Sequence, residues 1–215
     1  MIIGSGVTRV ADIRQLGFVK AFKVDKDSAV FSAVSGVLYN ANETTLYRYP
    51  VYKTKKSFYA SETLTSIGEY AFADTSLENI ELYDGITSVG KFAFSNADNL
   101  TELELPGTVT TLQAHAFYDC DDLIEIALPE KLTKLKYGLF KGCNSLEDVF
   151  IPERVTKILP LCFSECESLE KLFIPQSVAQ VSSYFDYKSN ISLELDQKNQ
   201  YFKLEDGKLI RKAKK

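Results

Sequence analysis

The sequence predicts a solenoid of α/β class, built from stacked coils of about 23 residues that each hold short strands and a short helical turn. Three observations carry this. The aromatic residues Phe72, Phe94, Phe117, Phe140 and Phe163 are spaced 22, 23, 23 and 23 apart. Leu77, Leu100, Leu123, Leu146 and Leu169 keep a step of 23, and so do Ile80, Leu103, Ile126, Val149 and Leu172. Pro106, Pro129, Pro152 and Pro175 then close successive strands. One such coil cannot bury its apolar side alone. It needs a neighbour above and below, so a fixed period of this length implies a continuous stacked core.

Taken in order, residues 1–24 read as a degenerate first repeat. Val7-Thr8-Arg9-Val10 echoes the V-T-x-L step, and Phe18 to Val24 alternates like a strand. A chain that begins inside a repeat is expected to be a fragment of a longer one. Residues 25–60 differ and read as a β-hairpin that is either an insertion or a cap. Ser35 to Asn40 and Thr44 to Tyr49 are β-rich runs around the Asn42-Glu43 turn, and Pro50 ends the second because it cannot donate to a ladder. Residues 64–181 hold the regular repeats. In each, a strand such as Leu64 to Ile67 leads into a turn of the type Gly68-Glu69-Tyr70-Ala71-Phe72, expected to be helical, and then into an L-x-x-I-x-L strand. Residues 182–215 depart from the pattern and read as a C-terminal cap, since an array needs atypical ends that stop strand-to-strand growth. The whole of 1–215 is one solenoid on this reading.

Net charge is −4, which argues against a nucleic-acid groove, where phosphate neutralisation needs clustered Lys and Arg. Lys53, Lys55 and Lys56, and the tail Arg211, Lys212, Lys214 and Lys215, read as solvated surface. No apolar run approaches the ~18 residues of a membrane span, and no signal peptide is visible at the start.

The I-G-x-x-A-F step (Ile67-Gly68…Ala71-Phe72; Val89-Gly90…Ala93-Phe94) resembles the BspA-type leucine-rich repeat. So do the Phe117, Cys120, Leu123, Ile126, Leu128, Pro129 series and the S-G-V-L-Y-N…T-T-L-Y-R-Y-P segment. The likeness covers roughly residues 7–210. Departures are Thr75 and Ala97 in place of Cys, Leu139 and Cys162 in place of Ala, and Gln113, Lys136, Leu159 and Ser182 in place of Gly. The resemblance implies an α/β leucine-rich-repeat solenoid from an exported protein of gut or oral bacteria or mucosal protists. It also implies surface display and adhesion to host proteins, with no catalytic residues to carry over.

Chemistry is sparse. His115 is the one histidine and reads as a surface residue; with no second His and no C-x-x-C, zinc lacks a ligand set. Cys120, Cys143 and Cys166 share one repeat position and read as a column of buried free thiols, a disulfide between adjacent coils being the alternative. No nucleophile elbow, phosphate loop or dinucleotide fingerprint occurs. The expectation is no enzyme, no metal and no cofactor.

Function is expected on the outer strand face. Side chains alternate along a strand, so Asn79, Glu102, Glu125, Asp148, Lys171 and Glu194 form one outward column, and Glu81, Glu104, Ala127, Phe150, Phe173 and Asp196 the other. Glu102, Glu104, Glu125, Asp148, Phe150, Lys171 and Phe173 are the candidate partner-binding residues. Aromatic anchors stand at one end and acids at the other, for a basic partner. The alternative is that Phe150 and Phe173 are covered by the segment around Tyr201-Phe202, or simply pair across strands. The expected protein is a non-enzymatic, secreted or cell-surface module that binds a host or neighbouring macromolecule, protein or glycan, as a monomer. The competing reading is a structural spacer within a larger protein.

Overall fold

The computed structural model describes residues 1–9, 13–186 and 190–213. Val10, Lys214 and Lys215, named above, lie outside them, as do 187–189 of the C-terminal segment.

The chain winds as a β-solenoid of about eight turns. Most coils contribute two short parallel strands. On one side Thr45–Arg48, Ser66–Ile67, Ser88–Val89 and Thr111–Leu112 stack in order, and Lys134–Leu135, Lys157–Ile158 and Gln180–Val181 continue the pattern. On the other side lie Ser57–Tyr59, Asn79–Glu81, Glu102–Glu104, Glu125–Ala127, Lys171–Ile174 and Ser192–Leu195. The registers join like to like, Leu103 beside Ile126 and Ile67 beside Val89, so every apolar column stays on the core side.

The expected helical turns are not formed, and the α/β class is corrected to an almost all-β one. Ile13–Leu16 is the one helix among the described residues. The arcs from Gly68 to Asp74, and their equivalents, are chains of tight turns. The reason lies in the backbone. Tyr70, Phe92, His115 and Leu161 have φ between 53° and 58°, and Asp74, Asn96, Asp119 and Glu165 between 51° and 63°. Two left-handed residues per arc break any run of i→i−4 bonds. The amides pair with the next coil instead: Tyr70 N–H donates to Lys91 O (3.0 Å), Phe72 N–H to Ala93 O (2.7 Å) and Asp74 N–H to Ser95 O (2.8 Å). The same bonds recur one coil on, from Phe92, Phe94 and Asn96 to Ala114, Ala116 and Tyr118. Backbone polar groups are thereby satisfied between coils rather than within a helix.

The core is a spine of rings. Phe72, Phe94, Phe117, Phe140 and Phe163 are fully buried and stacked face to face, at 5.3, 5.2, 5.4 and 5.7 Å between successive centroids. The spacing follows from the ~4.8 Å strand separation with a slight lateral offset. Tyr49 extends the spine, 5.9 Å from Phe72. Beside it the thiols of Cys120, Cys143 and Cys166 donate to the carbonyls of Phe94, Phe117 and Phe140, at 3.0, 3.0 and 3.1 Å. All four cysteines are buried and free, so no disulfide joins the coils. Burial holds the Cys143 and Cys162 thiols well above their ordinary range and pushes Cys166 up to about 12.

At the N-terminal end Thr45–Arg48 has two partners. It runs parallel to Ser66–Ile67 and antiparallel to Val37–Asn40, which in turn pairs antiparallel with Phe31–Val34. The expected strand from Phe18 to Val24 shrinks to Lys23–Val24, paired parallel with Ile2–Ile3. Residues before it are drawn across the coil, since the carbonyls of Gly17 and Val19 accept from Val51 and Tyr52 N–H. Val7 to Arg9 form no strand. Beneath this segment the Arg48 guanidinium is fully buried. It donates to the carbonyls of Tyr70 and Ala73 and faces the Asp74 carboxylate at 3.6 Å. Burial lowers its pKa to about 10, against the pull of Asp74. Gly17 permits the approach: a Cβ there would stand 2.1 Å from the guanidinium. At the other end Phe202–Glu205 and Lys208–Arg211 pair antiparallel. Buried Asn199 ties them to the last coil by donating to Pro175 O and Val178 O and accepting from Tyr201 and Phe202 N–H.

Candidate functional site

A solenoid coil offers solvent three surfaces, and two of them here carry ladders of bonds within the chain. Behind the first strand stack runs a threonine ladder. The hydroxyls of Thr65, Thr87, Thr110 and Thr156 donate to the carbonyls of Thr44, Thr65, Thr87 and Thr133, at 3.2 to 3.4 Å. On the arcs, Tyr70, Phe92 and His115 stack at 5.0 and 4.7 Å. Arg14 lies over Tyr70, Lys91 over Phe92 and Lys141 over Tyr118. His115, expected at the surface, is half-buried: it also meets Tyr118 and Tyr137 edge-on and rests on Gly138. Burial lowers its pKa, and Lys91 and Lys141 add to that.

The third surface is the face of the L-x-x-I-x-L strands, and along most of it the acids have no ion-pair partner among the described residues. Glu102 stands directly beside Glu125, and Glu125 beside Asp148. Among the described residues no salt bridge reaches Glu81, Glu102, Glu104, Glu125 or Asp148. The face is hollowed into an open groove of about 1050 Å³, floored by the exposed side chains of Asn79, Glu81, Glu102, Glu104, Glu125, Ala127, Asp148 and Phe150. Tyr83 and Asp84 form its rim, with Pro106 and Gly107.

Five of the seven candidate residues therefore meet at one groove: Glu102, Glu104, Glu125, Asp148 and Phe150. Lys171 and Phe173 stand beyond it. Lys171 faces Glu194 at 3.9 Å, both side chains exposed. The coil of Val149-Phe150 is irregular, keeping only the bridge from Asp148 to Glu125. Phe150 is 81% exposed and Phe173 44%, so neither is buried, and Phe202 of the C-terminal segment turns into the core. Tyr83 and Asp84 escaped the strand alternation because they sit in a loop. The available signal was Tyr83-Asp84-Gly85, which stands where later coils carry proline.

Among the described residues no group of three His, Cys, Asp or Glu side chains is arranged to hold a metal ion. Nor is any helix long and apolar enough to cross a membrane.

Comparison with known proteins places these coils. A family model for the BspA type leucine rich repeat region matches residues 52–194 in six copies. No match is found among curated proteins. Among solved structures, a leucine-rich repeat protein from Eubacterium ventriosum is similar with a TM-score of 0.72 and 22% identity, over 88% of this chain and 58% of that one. The pneumococcal vaccine antigen PcpA is similar at 0.67 and 23%, over 83% and 50%. A leucine-rich cell surface protein from Faecalibacterium prausnitzii is similar at 0.59 and 25%, over 91% and 47%. The chain thus spans about half the length of these solved relatives.

Proposed function

The chain belongs to the BspA-type leucine-rich-repeat family, and from that premise we propose that it is a non-enzymatic binding module displayed at a cell surface or secreted. It holds a macromolecular partner, protein or glycan, against its groove. One observation carries the choice of face. The threonine ladder and the arc stacks consume their own hydrogen bonds and cations, whereas the groove presents unmatched carboxylates beside an exposed Phe150. Exposed aromatic surface next to uncompensated charge is the kind of surface that a partner covers. The Faecalibacterium cell surface protein among the similar structures supports the location by analogy of fold.

The test is a pull-down from mucosal or extracellular-matrix extract, comparing the native chain with a Phe150→Ser/Phe173→Ser variant shown to be folded by circular dichroism. A partner retained by the native chain and lost by the variant supports the face. A partner kept by both moves binding to another surface. No partner for either leaves the array as a structural spacer.

A further inference from the structure

The groove is one-sided in its chemistry. Its lining contains six carboxylates, from Glu81, Asp84, Glu102, Glu104, Glu125 and Asp148, and no Lys or Arg. Like charges directly opposite on neighbouring strands repel, and the register sets Glu102, Glu125 and Asp148 in one such row. An anionic partner, including a sulfated or uronic-acid glycan, would add to that repulsion. A neutral glycan could stack on Phe150 but would leave the carboxylates uncompensated. A cationic chain relieves the row and is drawn to it from a distance. The first basic side chain beyond the groove in that column, Lys171, is already turned to Glu194 and closes the acidic run.

Accepting the binding face just proposed, we infer that the groove takes an extended cationic polypeptide segment lying along the solenoid axis. Its geometry sets the order of side chains. From the Glu81 coil to the Phe150 coil is three steps of ~4.8 Å, or roughly 14 Å. An extended chain advances ~3.3 Å per residue and turns alternate side chains to one face. About five residues span the floor, and three of them face it. Two face the acids and the third reaches Phe150, which lies at one end of the groove while the carboxylates fill the rest. The pattern selected is basic-x-basic-x-apolar, with the exposed Phe150 ring as the apolar anchor.

The probe is a blocked synthetic pentapeptide, Arg-Gly-Arg-Gly-Phe, titrated into isotopically labelled protein and followed by amide chemical shifts at low and at high salt. The expected result is saturable shifts confined to the groove coils and weakened at high salt. The Kd should rise at least tenfold in Glu102→Gln/Glu104→Gln/Glu125→Gln and for a peptide carrying Glu in place of Arg. All three positions are exposed, and dispersion of the variant's own spectrum verifies its fold. Parallel titrations use a heparin-derived oligosaccharide and a neutral chito-oligosaccharide. Binding of either sugar, lost in Phe150→Ser, with no response to the peptide, overturns the cationic segment while leaving the face intact. Peptide binding unchanged in the triple variant overturns the groove as its seat. If the peptide and both sugars leave the groove amides unmoved, the cationic segment falls. The face itself then stands or falls with the Phe150→Ser/Phe173→Ser pull-down.

Discussion

Replacing Phe117 by alanine tests the stacked spine most directly. The ring is fully buried, sandwiched between Phe94 at 5.2 Å and Phe140 at 5.4 Å, with interplanar angles of 2° and 13°. Truncation removes both stacking partners at once and leaves a void one ring thick. In most cores neighbours relax into such a space. Here they are held apart by the backbone: Phe94 N–H donates to Ala116 O at 2.8 Å, and Phe117 N–H to Leu139 O at 3.0 Å. A site that cannot collapse costs the upper part of the usual Phe→Ala range, about 4–5 kcal/mol. With a urea slope of about 2.5 kcal/mol/M for a chain of this size, the midpoint should fall by roughly 1.5–2 M. Urea unfolding followed by circular dichroism measures it, with Phe150→Ala as the exposed control, expected within ~0.5 kcal/mol of the native chain. If the two variants unfold at the same midpoint, the register of the coils is wrong.

Gly138→Ala combines φ of +56° with a Cβ placed 2.5 Å from the His115 ring. It should cost more than about 1 kcal/mol, and part of that should return in the Gly138→Ala/His115→Ala double variant, measured as a thermodynamic cycle. His115 itself has a folded pKa below its unfolded value. Below about pH 6.5 the unfolded chain therefore binds the proton first, and stability should decline as pH falls from there through the folded pKa. His115→Asn should flatten that segment of the stability–pH curve, and an imidazole NMR titration midpoint at or above 6.5 would contradict the sign. Arg48→Ala leaves the carbonyls of Tyr70 and Ala73 and the Asp74 carboxylate without their buried cation. A loss of about 3–5 kcal/mol and faster proteolysis between residues 13 and 22 are expected, and unchanged cleavage there would refute the docking role. All four cysteines are buried, and burial raises the Cys143, Cys162 and Cys166 thiols, so a thiol reagent at pH 8 should label none of the four in the folded protein and all of them in urea.

Much of the fold could be read in advance because the ring column and the strand leucines repeat at one step, and repetition reports stacking without any knowledge of local conformation. The arcs were misread for a physical reason. Small and apolar residues three or four apart, as in Gly68, Ala71 and Phe72, imitate one face of a helix. The positions that forbid it include Tyr70 and Phe92, aromatic residues with no propensity for φ near +55°. Their strain is offset by bonds to the next coil, and those depend on tertiary structure. The buried Arg48 was equally hidden, since nothing in Tyr47-Arg48-Tyr49 distinguishes a core cation from a surface one. On the strand face, simple alternation was enough to bring the Glu102, Glu104 and Glu125 side chains outward. It did not reveal the rim at Tyr83 and Asp84, nor the irregular coil at Val149-Phe150, because loops and breaks in a ladder obey no period.

The bonds that replace the helix have a mechanical meaning. Arc and strand alike are joined to the neighbouring coil by hydrogen bonds running along the solenoid axis. A pull on the two ends therefore loads the coils in series and opens them one at a time, in the manner of a zip rather than a shear plate. Each coil occupies ~4.8 Å of axis when folded, yet its 23 residues span roughly 75–80 Å when drawn out. Pulled from its ends, the array would lengthen stepwise by about that increment. It would dissipate load at the terminal coils first, while the ring spine of the middle coils, and the groove beside it, keep their shape.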